Sequence, residues 1–211
     1  MRIRKTVSRC AAGAAVALLS AVLGAPVAAQ SYPSRPIRLI VPFPPGGPVD
    51  TMARMVGQQL APRLEQQVIV DNRAGANGII GTEMAAKAPP DGYTLLLGNV
   101  GPIAANVSLY RNLPYDPVES FAPISMIAVA PQILVAHPSL PARSVPGLIR
   151  LAKAKPGQLV YGSPGWGSGA HLSMELFKAQ AGTDIVHVPY KGAVPALTDL
   201  LGGQISLVLS S

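Results

Sequence analysis

Cysteine, aromatic residues and charge are all scarce in this chain. A single cysteine, Cys10, lies among 211 residues. No intramolecular disulfide can form, and the chain after it offers no thiolate nucleophile or thiolate metal ligand. Aromatic residues make up only 5% and charged residues 13%. Nucleic-acid binding requires a clustered basic face with interleaved aromatics, and past the first ten residues the basic side chains are scattered. His137 and His187 have no acidic or cysteine partner at ligand spacing, which argues against a metal site. Also missing are paired catalytic carboxylates, the phosphate-loop Gly-Lys-Ser/Thr and the nucleophile-elbow Gly-x-Ser-x-Gly. Ser163 or Ser168 with His171, His187 and Asp184 is the one conceivable hydrolytic triad. Hydroxyls beside helix starts, however, are equally what an anion receptor needs.

The first thirty residues contain a different signal. Arg2, Arg4, Lys5 and Arg9 precede an apolar stretch from Cys10 to Leu23, followed by Gly24, Pro26 and the small triplet Val27-Ala28-Ala29. That order predicts a secretory signal peptide over 1–29, cut between Ala29 and Gln30, and hence a periplasmic location. The apolar stretch is shorter than the roughly 18–20 residues a membrane span requires. Cys10 stands before it, where a lipoprotein cysteine would follow it. Cleavage removes four basic residues, and the net charge falls from +7 to +3, with thirteen basic against ten acidic residues. The case for a polyanionic partner falls with it.

Downstream, strand and helix signals alternate. Ile37 to Phe43 reads as a buried strand. Met52, Val56, Leu60 and Leu64 repeat at helical spacing behind the start signals Pro48 and Asp50. Strands are expected at Gln67–Asp71 and Tyr93–Leu97, with a helix from Ile79 to Lys87 between them, which is the β-α-β-α-β grammar of a parallel sheet. The proline-rich stretch Asn112–Pro123 predicts a boundary between a first lobe, 30–122, and a second, 123–211. In the second, strands are expected at Ile124–Ala130, Gln132–His137, Leu159–Gly162, Ile185–Val188 and Gln204–Leu209. Helices are expected at 144–155, Ala170–Ala181 and Ala193–Leu201. The fold class is therefore α/β, two mainly parallel sheets flanked by helices.

Ligands of open α/β sheets sit beyond the carboxyl ends of the strands, where four glycine-rich turns lie. They are Pro44 to Asp50, Gly75 to Gly78, Gly162 to His171, and Val188 to Gly192. Each leads into a helix whose first N–H groups face outward, the physical requirement for holding an anion. Two come from each half, which predicts a cleft closed from both sides.

The run Pro33-Ser34-Arg35-Pro36-Ile37-Arg38 through VPFPPGGPVD at 41–50 resembles the substrate-binding proteins of tripartite tricarboxylate transporters, the Bordetella uptake gene family. NRAGANGIIGTEMAAKAPPDGYTLLLG at 72–98, SVPGLIRLAKAKPGQLVYGSPGWGSGAHL at 144–172 and VPYKGAVPALTDLLGGQI at 188–205 resemble it too, so that the likeness covers residues 32–211. The resemblance implies a two-lobed, type II periplasmic binding protein. It would capture a dicarboxylate, tricarboxylate, acidic amino acid or aromatic acid and deliver it to a permease of one large and one small membrane subunit. No cofactor, nucleic acid or metal is implied, and the receptor is expected to be a monomer. Carried over, Pro45, Gly46, Gly47, Asn77 and Gly78 would grip one carboxylate. Ser163, Gly167 and Ser168 would supply donors from the second lobe, and Tyr190, Lys191 and Gly192 would stand near the other end.

Asp50 would choose between ligands by accepting from an amine or hydroxyl, or else only complement the helix dipole. His171 would touch ligand, or cap and pack. Trp166 would cover a ligand or fill core. A sensor presenting its ligand to a signalling partner is the alternative to transport. Family members continue beyond the strand at Leu207–Ser211, so the second lobe and the return to the first are expected to be incomplete here, with reduced stability and affinity.

Overall fold

The computed structural model describes residues 31–211; the signal peptide expectation lies outside them. Six strand–helix alternations follow one another and a seventh strand ends the series. The first sheet contains β1 (Ile37–Val41), β2 (Val68–Asn72) and β3 (Thr94–Leu96), in the order β2-β1-β3, all parallel. Apart from Arg38 the central strand β1 is apolar, because both its faces are covered: Ile37, Leu39, Ile40 and Val41 are all buried. α1 (Pro48–Leu64) and α2 (Ile79–Ala86) make the crossovers. Leu39, Val41 and Ala53 form one core, with Phe43, Val49, Val68, Val70, Leu95 and Leu97 packed around it. Arg38 on β1 pairs with Asp71 on β2, which helps fix the register Ile37 against Val68.

The second sheet has the order β4-β7-β5-β6, from β4 (Ile133–Ala136), β5 (Val160–Ser163), β6 (Val186–Pro189) and β7 (Leu207–Ser210). β5 is parallel to both β6 and β7, whereas β4 runs antiparallel to β7 on the edge. α4 (Val145–Ala154) and α5 (Gly169–Ala181) cover one face through Leu148, Ala152 and Met174 packed on Tyr161, Ile185 and Leu207. α6 (Ala193–Leu201) covers the other through Ala196 and Leu200 on Val208. Among the described residues no helix is long and apolar enough to cross a membrane.

Two stretches differ from the sequence expectation. Ile124–Ala130 forms no strand, because no neighbouring strand hydrogen-bonds to it. Ile124, Met126 and Val129 are about four-fifths exposed (81%, 80% and 79%). Between β3 and that stretch, a π-helical turn (Gly101–Ala105) runs into a short helix, α3 (Asn106–Leu109). Its Gly-Pro start and small residues carry no apolar periodicity that would have marked it.

Candidate functional site

The turn after β1 is held from below by a buried carboxylate. Asp50, 3% exposed in the first turn of α1, accepts from the Gly46 N–H (2.9 Å), from Arg54 Nε (3.0 Å) and from Asn72 Nδ2 (2.9 Å). Asn72 also donates to the Phe43 carbonyl (3.1 Å). Arg54, then the Gly46 N–H and Asn72, hold the Asp50 carboxyl below its ordinary range against the opposing effect of burial. Every donor around Asp50 is therefore part of the protein. Pro45 and Gly46 form the exposed crest of this turn, and Gly47 is the N-cap of α1 with no side chain to close it. The first-turn N–H groups of α1 have no carbonyl within the helix to bond.

Asn77 occupies the left-handed region at φ 50°, ψ 41°. It is fixed there by a reciprocal pair with the fully buried Asn106. Asn77 Nδ2 donates to Asn106 Oδ1 (2.8 Å), and Asn106 Nδ2 donates to the Asn77 carbonyl (3.2 Å). Gly78 follows, its N–H bonded to the Gly75 carbonyl (2.9 Å).

In the second sheet, Ser163 ends β5 fully buried. Its hydroxyl donates to the Gly165 carbonyl (3.1 Å), accepts from the Gly165 N–H (3.2 Å) and meets His187 Nε2 at 2.7 Å. With the hydroxyl proton on the Gly165 carbonyl, His187 carries its proton on Nε2 and donates. Its buried Nδ1 has no partner. Burial first, and then the neighbouring His171, bring His187 down to about 4. Asp184 does not orient that ring: its carboxylate lies by Gly157 on the exposed surface.

Ser168 is the N-cap of α5 and accepts from the His171 N–H (3.2 Å), leaving its own proton to donate. Gly167 donates to His171 Nδ1 (3.1 Å). Trp166 is 60% exposed and sets its ring edge-on to His171 (4.9 Å) and His187 (4.7 Å), covering the histidines and not filling the core. Tyr190 is tied to the helix that follows it, α6, its hydroxyl donating to Asp199 (2.7 Å); burial and that bond push it up to about 12. Lys191 is exposed at the crest. Gly192, the N-cap of α6, donates to the Pro164 carbonyl (3.1 Å) and thereby links the third and fourth turns.

The turns of the two sheets come together at two points where a glycine meets its neighbour. A Cβ on Gly167, at φ +72°, would stand 2.5 Å from Leu109 and 2.8 Å from Asn77 Nδ2. One on Gly192, at φ +115°, would stand 3.3 Å from Pro44. Beside the second contact, Gly46, Pro48 and Thr51 from one helix start and Ala193, Val194 and Leu197 from the other line a common open cavity of about 400 Å³. Among the described residues no group of three histidine, cysteine or carboxylate side chains could hold a metal ion.

The family described as the tripartite tricarboxylate transporter family receptor matches residues 52–211. The chain belongs to that family. It is similar to protein BugT of Bordetella pertussis, 46% identical over 190 residues, which are 90% of this chain and 58% of BugT. Among solved structures it is similar to R. palustris Rpa4515 with adipate, at 42% identity and a TM-score of 0.83, covering 85% of this chain and 60% of that one. MatC from Rhodopseudomonas palustris with bound malate aligns at 31% identity and a TM-score of 0.78, over 85% and 61%. The chain thus spans a little over half the length of the curated relatives it matches. It also shares its α/β fold with periplasmic binding protein BugD, at 36% identity and a TM-score of 0.79 over 85% of this chain and 60% of that one, and the family itself is described as a receptor family.

Arg54, Asn72 and Asn106 escaped the sequence reading of the site, and His187 entered it only as a member of a hydrolytic triad. Asn72 was legible only as the opening of a turn. Its role depends on β2 lying beside β1, so that Asn72 stands opposite Val41, just ahead of the first glycine turn. Asn106 lies in a helix without periodicity, 29 positions from its partner.

Proposed function

We propose that this chain forms the ligand-capturing part of an exported receptor for a small carboxylate, serving a tripartite transporter whose permease has one large and one small membrane subunit. The observation that carries this reading is the convergence of the helix starts. Those of α1 and α6 share one cavity, and that of α5 follows the Gly167 turn packed on Asn77. Helix starts present unpaired N–H groups and a positive dipole end, which favour an anion. Relatives solved with adipate and malate support a carboxylate as that anion.

In this reading residues 30–122 and 123–211 act as two lobes of a monomer, reached after cleavage of a signal peptide at Ala29-Gln30. The glycine turns at 45–47, 77–78 and 191–192 and the Ser168 hydroxyl face the ligand. Asp50, Ser163 and Tyr190 act one step back, by fixing those turns, because their polar atoms are already engaged. A hydrolytic role fits poorly: Ser163 is buried with its hydroxyl saturated, and His187 has no acid at Nδ1.

Isothermal calorimetry at pH 7.5 tests the reading. Malate or adipate is expected to bind one to one, and the matching diamides are not; equal binding of acid and diamide would refute anion capture. The isosteric Asn77→Asp change places a negative charge at the contact of the two turns. It is expected to weaken dicarboxylate binding at least about tenfold, or about 1.4 kcal/mol. Gly167→Ala, which has no room for its methyl, should weaken binding by a similar factor while leaving the melting transition cooperative. Wild-type affinity in both variants would remove these turns from the site.

A further inference from the structure

His171 stands in the first turn of α5, 8% exposed, with its Nδ1 accepting the Gly167 N–H. A ring nitrogen that accepts a backbone N–H holds no proton, so the imidazole is neutral and carries its proton on Nε2. One face lies on His187 of β6, with ring centres 4.3 Å apart and planes 29° from parallel. Trp166 closes the edge. The charged groups around the ring are Glu175 and Lys178 of its own helix. Glu175 already accepts from Tyr161 of β5 (2.7 Å) and from Lys178 (2.8 Å), so its carboxylate is engaged beside the stack. Gly167 is also the residue packed on Asn77 and Leu109 from the first-sheet side.

We infer that His171 is a positioning residue for ligand capture: its neutral ring holds Gly167 against Asn77, and a proton on Nδ1 releases that turn. A protonated Nδ1 would point its hydrogen at the Gly167 hydrogen, exchanging a bond for a repulsion. Among the described residues the Gly167 N–H has no other hydrogen-bond acceptor, and the ring is packed face to face on His187, which leaves it little room to turn away. The direction of the His171 shift agrees, since burial lowers its proton affinity, with Glu175 opposing and Lys178 assisting. Capture is therefore expected to weaken on acidification. The inference rests on the carboxylate-capture reading above.

Two variants of the full chain separate the proton from the packing. In His171→Asn the side-chain oxygen replaces Nδ1 as acceptor for Gly167 but does not titrate. In His171→Leu the space is filled without an acceptor. Malate and adipate binding are measured by calorimetry at pH 7.5 and 5.0, with circular dichroism confirming the fold at each pH. The Gly167 amide and the His171 ring nitrogens are followed by NMR across the same range without ligand.

Wild-type affinity is expected to fall at least fivefold between the two pH values. The asparagine variant should bind more tightly than the leucine variant, and its affinity should change between the two pH values by no more than titration of the acid itself accounts for. An asparagine variant as pH-dependent as wild type, or a leucine variant that binds as wild type does, overturns the inference. If no protein binds either acid at pH 7.5, the capture reading fails alone. The inference is then decided by the Gly167 amide: movement in step with His171 protonation sustains it, and an amide indifferent to that titration overturns it.

Discussion

Replacing Asp50 with alanine is expected to lower the free energy of unfolding by about 3 kcal/mol, near the upper end for a single polar side chain. The size follows from what the carboxylate leaves behind. The Gly46 N–H and Asn72 Nδ2 lose their acceptors in a site that is almost closed to water, and Arg54 loses its counter-ion at 3.0 Å. Each stranded buried donor costs about 1–3 kcal/mol, whereas the half-exposed Arg54 recovers most of its loss from solvent. Asp50→Asn, which keeps one acceptor, should cost about half as much. Urea unfolding monitored by Trp166 fluorescence measures both, and a loss below about 0.5 kcal/mol for alanine would show that the turn stands without its carboxylate. The carboxyl is depressed in the folded state, so its stabilising contribution is complete above the unfolded value. It disappears only as pH falls through the lower folded one.

Acid should act earlier through the histidines. His187 falls from an ordinary value of 6.5 to about 4 on folding. Between those values the unfolded chain binds a proton that the folded one refuses, so stability declines as pH drops from about 7 and levels off near 4. The expected loss is about 3 kcal/mol, from the size of that interval at 1.36 kcal/mol per pH unit, and His171 adds in the same direction. The structural cause is the unpartnered, buried Nδ1. A proton there would have no acceptor, and the ring is already stacked between Tyr161 and His171 at 4.7 and 4.3 Å. Urea titrations from pH 7.5 to 4.5 check this, with His187→Gln as control. The glutamine variant should lose markedly less stability across that window, and a wild-type curve flat between pH 7 and 5 would contradict the assignment.

How far the sequence carried depends on the range of the interactions concerned. Helix starts at Pro48, Ser168 and Gly192 were legible because capping chemistry is local: a glycine or serine, a helix-compatible run, and a turn before it. β1 was legible as a short apolar run broken only by Arg38. The braces behind the turns were not. Asp50 was read as a ligand selector or dipole partner, whereas its bonds to Asn72 and Arg54 exist only once β2 lies beside β1. The Asn77–Asn106 pair likewise joins residues whose neighbours give no clue to each other. Ser163 and His187 could be listed together from composition. Only the parallel pairing of β5 with β6, which sets Ser163 against Pro189, brings the hydroxyl to the ring. Ile124–Ala130 shows the opposite error, since strand-like composition describes a preference and a ladder needs a neighbour.

That last segment bears on how the protein behaves as its concentration rises. Ile124 to Ala130 is seven residues without charge, rich in β-branched and apolar side chains and largely exposed. It has the composition from which intermolecular cross-strand assembly nucleates. It is also bracketed by Pro123 and Pro131, neither of which can donate to a growing ladder. The two prolines act as gatekeepers that confine any such pairing to a register of seven residues.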